Sequence, residues 1–329
     1  MIRPFLICLT PVRNEAWVLP AFLKTTGLWA DYIIIADQHS TDGSREIALS
    51  YPKVILVDND NLDFNEAERQ SLLINKARKI AGDKILFGLD ADEILSANFM
   101  ETNDWQKILN SKSGDVFWFK WAEIRPDKKT YWESKTVYFP WVFHDDGKEP
   151  HKNYVRNMHS MRIPYPLDEK QMYYVNDFRV LHLSYLNSAR MRAKSRFYQF
   201  VDWSLNKRSI VSLSRQYSPY TIKEEPVHDL PANFIYSENK FGFNLFDLVD
   251  TISEKFWFDE YIVERLPNYS TKEINKLNIW DDEFINNNHL KDNRNLINKL
   301  LHSYLIHTQR YKRNIVIRAI DKLLKKIHY

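Results

Sequence analysis

Phe87-Gly88-Leu89-Asp90-Ala91-Asp92-Glu93-Ile94 joins an apolar run to three acids spaced Asp-x-Asp-Glu. The run, residues 84–89, is short and bounded by polar residues, the pattern of a buried strand. Acids at the carboxyl end of such a strand project into the crevice where open α/β sheets bind ligands. Carboxylates are also the hard oxygen donors that Mg²⁺ and Mn²⁺ prefer, and those ions complete their shells with substrate phosphates. The stretch therefore predicts a metal-assisted site for a nucleotide diphosphate. The competing reading is a helix start, with Asp92 and Glu93 in a first turn ahead of Ile94 and Leu95.

Upstream, residues 5–9 form an apolar run that ends in Thr10-Pro11-Val12-Arg13-Asn14-Glu15, and residues 17–28 read as a helix with one internal proline. Residues 31–36 read as a second strand, whose unbroken Ile33-Ile34-Ile35 suits burial on both faces. It ends in Asp37-Gln38-His39-Ser40-Thr41-Asp42-Gly43-Ser44, where Ser40 or Thr41 can cap a helix over 45–49. A third strand over 53–57 and a helix over 66–80 lead into the Asp-x-Asp strand. This β-α-β-α-β-α-β series predicts a parallel sheet covered by helices, with the polar strand ends on one rim.

The three strand ends resemble the successive signatures of glycosyltransferase family 2, the inverting nucleotide-sugar enzymes of the GT-A fold. The resemblance covers residues 1 to about 125, weakens over 126–215 and is absent beyond. It implies a GT-A-like α/β fold, read as a transferase domain over 1–225 divided at about 125 into nucleotide-sugar and acceptor halves; the change of composition and the helical spacing beyond it add a C-terminal helical extension over 226–329. It also implies a nucleotide-sugar donor such as a UDP-sugar, a glycan or lipid-linked acceptor, and Mn²⁺ or Mg²⁺. Thr10, Pro11, Arg13, Asn14 and Glu15 would meet the base or ribose, and Asp37 would accept a hydrogen bond from the base. The usual second aspartate of that motif is Gln38 here, so its role does not carry over. Arg69 matches an arginine directed at the nucleotide, against a solvated helix face as the plain alternative. Asp92 is the expected metal ligand and Asp90 a metal or ribose contact.

Downstream, His182 sits within the strand-like run 178–185, ahead of a basic helix over 188–200 that carries Arg190, Arg192, Lys194 and Arg196. A histidine in an apolar strand is ordinarily a core residue. The resemblance makes His182 a third metal or diphosphate ligand and Arg190 and Lys194 diphosphate clamps, since guanidinium and ammonium groups match phosphate. An inverting transfer also needs a carboxylate to take the acceptor proton. Related branches carry His-Glu where this chain has His159-Ser160, which leaves Asp145, Asp146 and Glu149 around Gly147 as candidates or as plain turn acids. Trp118, Trp121, Tyr131, Trp132, Tyr138 and Trp141 offer faces for sugar rings and are equally suited to a core.

A net charge of +3 argues against a dedicated nucleic-acid binder, and seven glycines make a glycine-rich phosphate loop a poor expectation. Cys8, the only cysteine, can form no internal disulfide and reads as a small core hydrophobe. No run has the length of a bilayer span or the flanks of a signal peptide, so a cytoplasmic enzyme is expected. Residues 241–263 show apolar and acidic residues at helical spacing, and 295–327 read as two further helices. In the last, Val316, Ile320, Leu323, Leu324 and Ile327 oppose Arg318, Lys322 and Lys325. This helix either packs on the enzyme body or touches an anionic membrane surface or a partner. Two other classes compete with a transferase: a haloacid-dehalogenase-type phosphohydrolase, whose nucleophilic aspartate normally follows the first strand, and a non-enzymatic sugar-binding module.

Overall fold

A computed structural model describes residues 3–148, 158–164, 171–218, 227–252 and 256–327. The chain forms two units, Met1–Leu186 with Val227–Thr251, and Asn187–Pro226 with Ile252–Tyr329. The expected single boundary near 225 is thus replaced by an exchange: the helix after His182 packs with the C-terminal helices, and a later segment returns to the sheet unit.

In the first unit, β1 (Phe5–Val12), α1 (Leu19–Thr26), β2 (Tyr32–Asp37), α2 (Ser44–Leu49), β3 (Val54–Asp58), α3 (Glu66–Arg78) and β4 (Lys84–Gly88) follow the expected alternation. Then come β5 (Glu93–Leu95), α4 (Asn103–Leu109), β6 (Val116–Phe119), β7 (Trp121–Ile124), β8 (Thr130–Trp132), β9 (Phe139–His144), β10 (Met172–Tyr174) and β11 (Val180–His182). The internal proline, Pro20, falls in the first turn of α1, where its missing N–H breaks no hydrogen bond. The large sheet runs β10-β6-β9-β4-β1-β2-β3. Strands β1 to β4 are parallel, whereas β9 lies antiparallel between β4 and β6. The fold is therefore mixed α/β with a parallel-rich sheet.

Alternation along the central strands explains their unbroken apolar character. Cys8, Ile33, Ile35 and Phe87 face one core with Phe22 of α1, while Ile7, Leu9, Ile34 and Leu86 face another with Leu73, Ile74 and Ala77 of α3. Burial pushes the Cys8 thiol up to about 12, which leaves it a small core side chain. A smaller sheet, β12 (His228–Asp229) with β8, β7, β11 and β5 in that order, sets β11 antiparallel to β5. The acids after β4 thus enter a strand, not a helix.

The second unit comprises α5 (Ser188–Asn206), α6 (Ile210–Tyr217), α8 (Trp257–Arg265), α9 (Thr271–Ile274), α10 (Asp282–Asn287), α11 (Leu296–His307) and α12 (Ile315–Lys326), while the short α7 (Glu238–Phe241) belongs to the first. Of the helical spacing expected over 241–263, only the part in α8 forms an α-helix among the described residues. Arg196 of α5 is 2% exposed and donates to Asp259 at 2.9 and 2.7 Å and to Asp281 at 2.7 Å. Part of the basic face of that helix is therefore an internal counter-ion set. Among the described residues no helix is long and apolar enough to cross a membrane.

His302 of α11 is buried, with its Nε2–H donating to the Lys276 carbonyl at 2.8 Å and its Nδ1 accepting from Arg294 at 3.0 Å. Burial, reinforced by the Arg294 charge, lowers its pKa from 6.5 to about 4. Between these values the unfolded chain binds the extra proton. The contribution is full above pH 6.5 and is lost as the pH falls toward 4, by about 3 kcal/mol. Urea unfolding across this window should show a steeper acid loss for the native chain than for His302→Gln. Parallel curves would show that His302 does not carry the effect.

Candidate active site

Strand register places the three motifs together. Val12 pairs with Asp37, Asp37 with Asp58, and Leu9 with Gly88, so the loops after β1, β2 and β4 leave the same rim of the sheet. The first two loops are stitched to each other. The Asn14, Glu15 and Ala16 amides donate to Ser40 Oγ, Ser44 Oγ and Asp42 Oδ2 at 2.9, 2.8 and 2.9 Å, and the Thr41 amide donates to Asn14 Oδ1 at 2.7 Å. Asn14 and His39 hold φ of 52°, a left-handed conformation that asparagine tolerates better than most residues.

Asp37 is 2% exposed and accepts from Arg45 at 3.2 Å, while Arg45 also donates to Asp58 at 2.6 Å. Asp37, His39, Ser40, Thr41, Arg45 and Asp58 line an open cleft of ≈ 310 Å³. Gln38 turns into the chain beyond β3, where its amide donates to the Asn61 and Asp63 carbonyls. A carboxylate has no hydrogen to donate to two carbonyls, which gives a physical reason for glutamine in place of the usual acid.

At the third loop the acids are partnered by a residue the sequence reading missed. Arg162 donates to Asp90 Oδ2 at 2.7 Å and to Glu93 Oε2, with its guanidinium 5.9 and 5.6 Å from the Trp121 and Trp141 rings. Glu93 is fully buried, accepts from Trp121 Nε1 at 2.7 Å, and receives the Asp90 amide at 2.9 Å. Burial pushes the Glu93 carboxyl above its ordinary value, against the pull of Arg162. Burial also opposes the charge on Arg162, but Asp90 and Glu93 outweigh it and hold the guanidinium well above its usual range. Gly88 makes this approach possible, since a Cβ there would lie 2.8 Å from Arg162 Cβ. Glycine inside a strand is the one sequence signal that a second backbone comes close.

Asp92, 3% exposed, stands beside His182: the His182 Nε2 to Asp92 Oδ2 distance is 3.7 Å, beyond a hydrogen bond. The His182 ring stacks on Trp121 at 4.9 Å and 16°. His182 Nδ1 and Asp90 Oδ1 are buried and make no hydrogen bond among the described residues. No group of three or more His, Cys, Asp or Glu side chains among the described residues forms a closed metal cage. Asp92 and His182 are two adjacent side chains of metal-ligating type, and a hard cation can bind through one or two protein groups while substrate phosphates complete its shell.

Other expected residues are placed differently. Asp145 follows β9, whose antiparallel pairing sets it beside the start of β4, where its amide donates to the Lys84 carbonyl at 3.0 Å. That is the far rim, about 16 Å from Asp90 along a five-residue strand. Asp145 is also clasped by Arg78, with its closest contact at 2.7 Å. Asp146 accepts from the Lys148 amide at 2.7 Å, so both candidate bases are turn-forming acids away from the acidic rim, and Glu149 lies outside the described residues. Arg190 and Lys194 lie on α5 of the second unit, where the Arg190 guanidinium sits 5.1 Å from the Phe258 ring. Arg69 is not a solvated residue: its side chain is 18% exposed, 3.7 Å from Glu66 and 5.2 Å from the Phe64 ring. Glu66 is itself buried and accepts from the Ser160 amide at 2.8 Å, tying the Arg162 segment to α3.

No family model and no curated protein matches the chain. The solved structures to which it is similar include glucosyl-3-phosphoglycerate synthase from Mycobacterium tuberculosis in complex with Mn²⁺, uridine diphosphate and phosphoglyceric acid, at 18% identity and a TM-score of 0.28 over 37% of this chain and 43% of that one. GalNAc-T7 with UDP, GalNAc and Mn²⁺ matches at 12% identity and a TM-score of 0.37, over 82% and 58%. A 4-diphosphocytidyl-2C-methyl-D-erythritol synthase matches at 11% identity and a TM-score of 0.30, over 44% and 76%. The match to glucosyl-3-phosphoglycerate synthase spans less than half of either chain.

Removing Arg162 would leave the buried Glu93 without its cation, and breaking a buried ion pair typically costs about 3–5 kcal/mol. Arg162→Met should therefore destabilise strongly in chemical denaturation, and adding Glu93→Gln should recover much of the loss. Additive losses would show that the two side chains are not coupled.

Proposed function

We propose that this chain is a metal-dependent inverting glycosyltransferase that moves a sugar from a UDP-sugar to a hydroxyl of a glycan or lipid-linked cell-surface precursor, in the cytoplasm at the inner face of a membrane. The observation that carries this reading is the adjacency of Asp92 and His182 on the rim shared by three strand-end loops. In it, Asp37 accepts a hydrogen bond from the base in the cleft beside Ser40 and Thr41, and the end of β1 at Thr10 and Pro11, with the following loop of Arg13, Asn14 and Glu15, meets the base and ribose. Asp92 and His182 are the ligands for Mn²⁺ or Mg²⁺. The bound ion would neutralise charge that develops on the departing diphosphate. Asp90, one oxygen fixed by Arg162, keeps its other oxygen for the ion or the ribose. Arg69 is the cation on the side of α3.

Losing one strong stabiliser of a developing anion lowers a rate by about 10²–10³. Asp92→Asn should lower transfer from a UDP-sugar by that factor while its unfolding midpoint stays near the native one. His182→Ala should weaken UDP binding much more in Mn²⁺ than in EDTA. Near-native transfer by folded Asp92→Asn removes Asp92 from the mechanism, and an equal loss for His182→Ala in both buffers makes His182 a core residue.

A further inference from the structure

Helix α12 packs with its polar side inward. Asp321 is its one buried residue; it accepts from Arg215 Nε and Nη2 at 2.8 and 2.9 Å and from the Tyr304 hydroxyl at 2.9 Å. Leu324, partly buried, is packed against the cluster of Val211, Leu301 and Leu305. The main apolar stripe points the other way: Val316 is 61% exposed, Leu323 63%, Ile327 62% and Ile320 37%, with Ile315 at 80% on its flank. Positions 316, 320, 323 and 327 recur at i, i+4, i+7 and i+11, a continuous ridge along the helix. Of the stripe read from the sequence, Leu324 packs on the enzyme body, and the other four positions are exposed.

Charge selects what covers the ridge. Residues 310–327 hold seven lysines and arginines and a single acid, Asp321, which is spent on Arg215. That segment is +6 against +3 for the whole chain, so the remainder is −3. A second copy laid on the same ridge would bring +6 against +6, which disfavours self-association. Long lysines beside an apolar stripe let the stripe enter an interface while the ammonium groups stay at the level of anionic headgroups.

We propose that α12 is a lipid-docking surface that seats the protein on anionic bilayers, with Val316, Ile320, Leu323 and Ile327 inserted and Lys322, Lys325 and Lys326 on the headgroups. The Arg215–Asp321 clasp holds the helix with its ridge outward. The proposal extends the lipid-linked acceptor of the preceding reading, and its test is independent of transfer.

The full chain is sedimented with vesicles of phosphatidylcholine alone, and with about one third phosphatidylglycerol added, at low and high salt. Binding only to the anionic vesicles, weakened by salt, is expected. Leu323→Ser/Ile327→Ser should abolish it, and Lys322→Gln/Lys325→Gln should weaken it roughly fivefold per lysine. Both pairs are exposed, so unfolding midpoints and UDP binding should match the native chain, which separates failure of docking from failure of the transferase reading. No binding to anionic vesicles, equal binding to neutral ones, or unchanged binding by the serine variant would overturn the proposal. So would a concentration-dependent dimer that the serine variant dissolves, which would assign the ridge to a second copy.

Discussion

The acidic rim exists because one guanidinium is shared between two of its three carboxylates. Asp90, Asp92 and Glu93 lie within four consecutive positions, and Glu93 is fully buried. Without an internal cation their mutual repulsion and the desolvation of Glu93 would work against the strand end that carries them. Arg162 supplies that cation from 69 to 72 residues away, reaching in over Gly88 and held by Trp121 and Trp141. Asp92 stands beside His182, 3.7 Å from its Nε2. The arrangement separates a neutralised support, Asp90 and Glu93 with Arg162, from the buried Asp92 beside His182.

A second constraint acts on the base side of the rim. The loops after β1 and β2 satisfy each other's backbone groups through Asn14, Ser40, Asp42 and Ser44, so neither needs a ligand to hold its shape. Gln38 extends the same frame to the chain after β3 by donating to two of its carbonyls. A site assembled this way loses little freedom on binding, which favours affinity without added contacts.

The parts that sequence made legible are those set by local periodicity. The four parallel strands and the three polar strand ends follow from short apolar runs and the loops that interrupt them. His182 was brought near the acids only through a resemblance; in the structure it arrives there by pairing β11 against β5, a contact between residues far apart in the chain. Arg162 was illegible because an arginine among Ser160, Met161 and Ile163 carries no pattern of its own, and only Gly88 hinted at its approach. Asp145 and Asp146 lie away from the acidic rim because antiparallel β9 carries them to the start of β4, a direction that a single strand does not encode. On α12 the apolar stripe was plain, but which face packs was decided by Arg215, about a hundred residues away.

The proposed function rests on Asp92 and His182 as a two-ligand cation site completed by a nucleotide diphosphate. Calorimetric titration of the native chain with UDP, in Mn²⁺ and again in EDTA, tests it most directly. Binding at least about tenfold tighter with Mn²⁺ is expected, since each tenfold corresponds to only about 1.4 kcal/mol and a bridging cation contributes more than that to a diphosphate. Equal affinity in the two buffers, or no UDP binding in either, would contradict it.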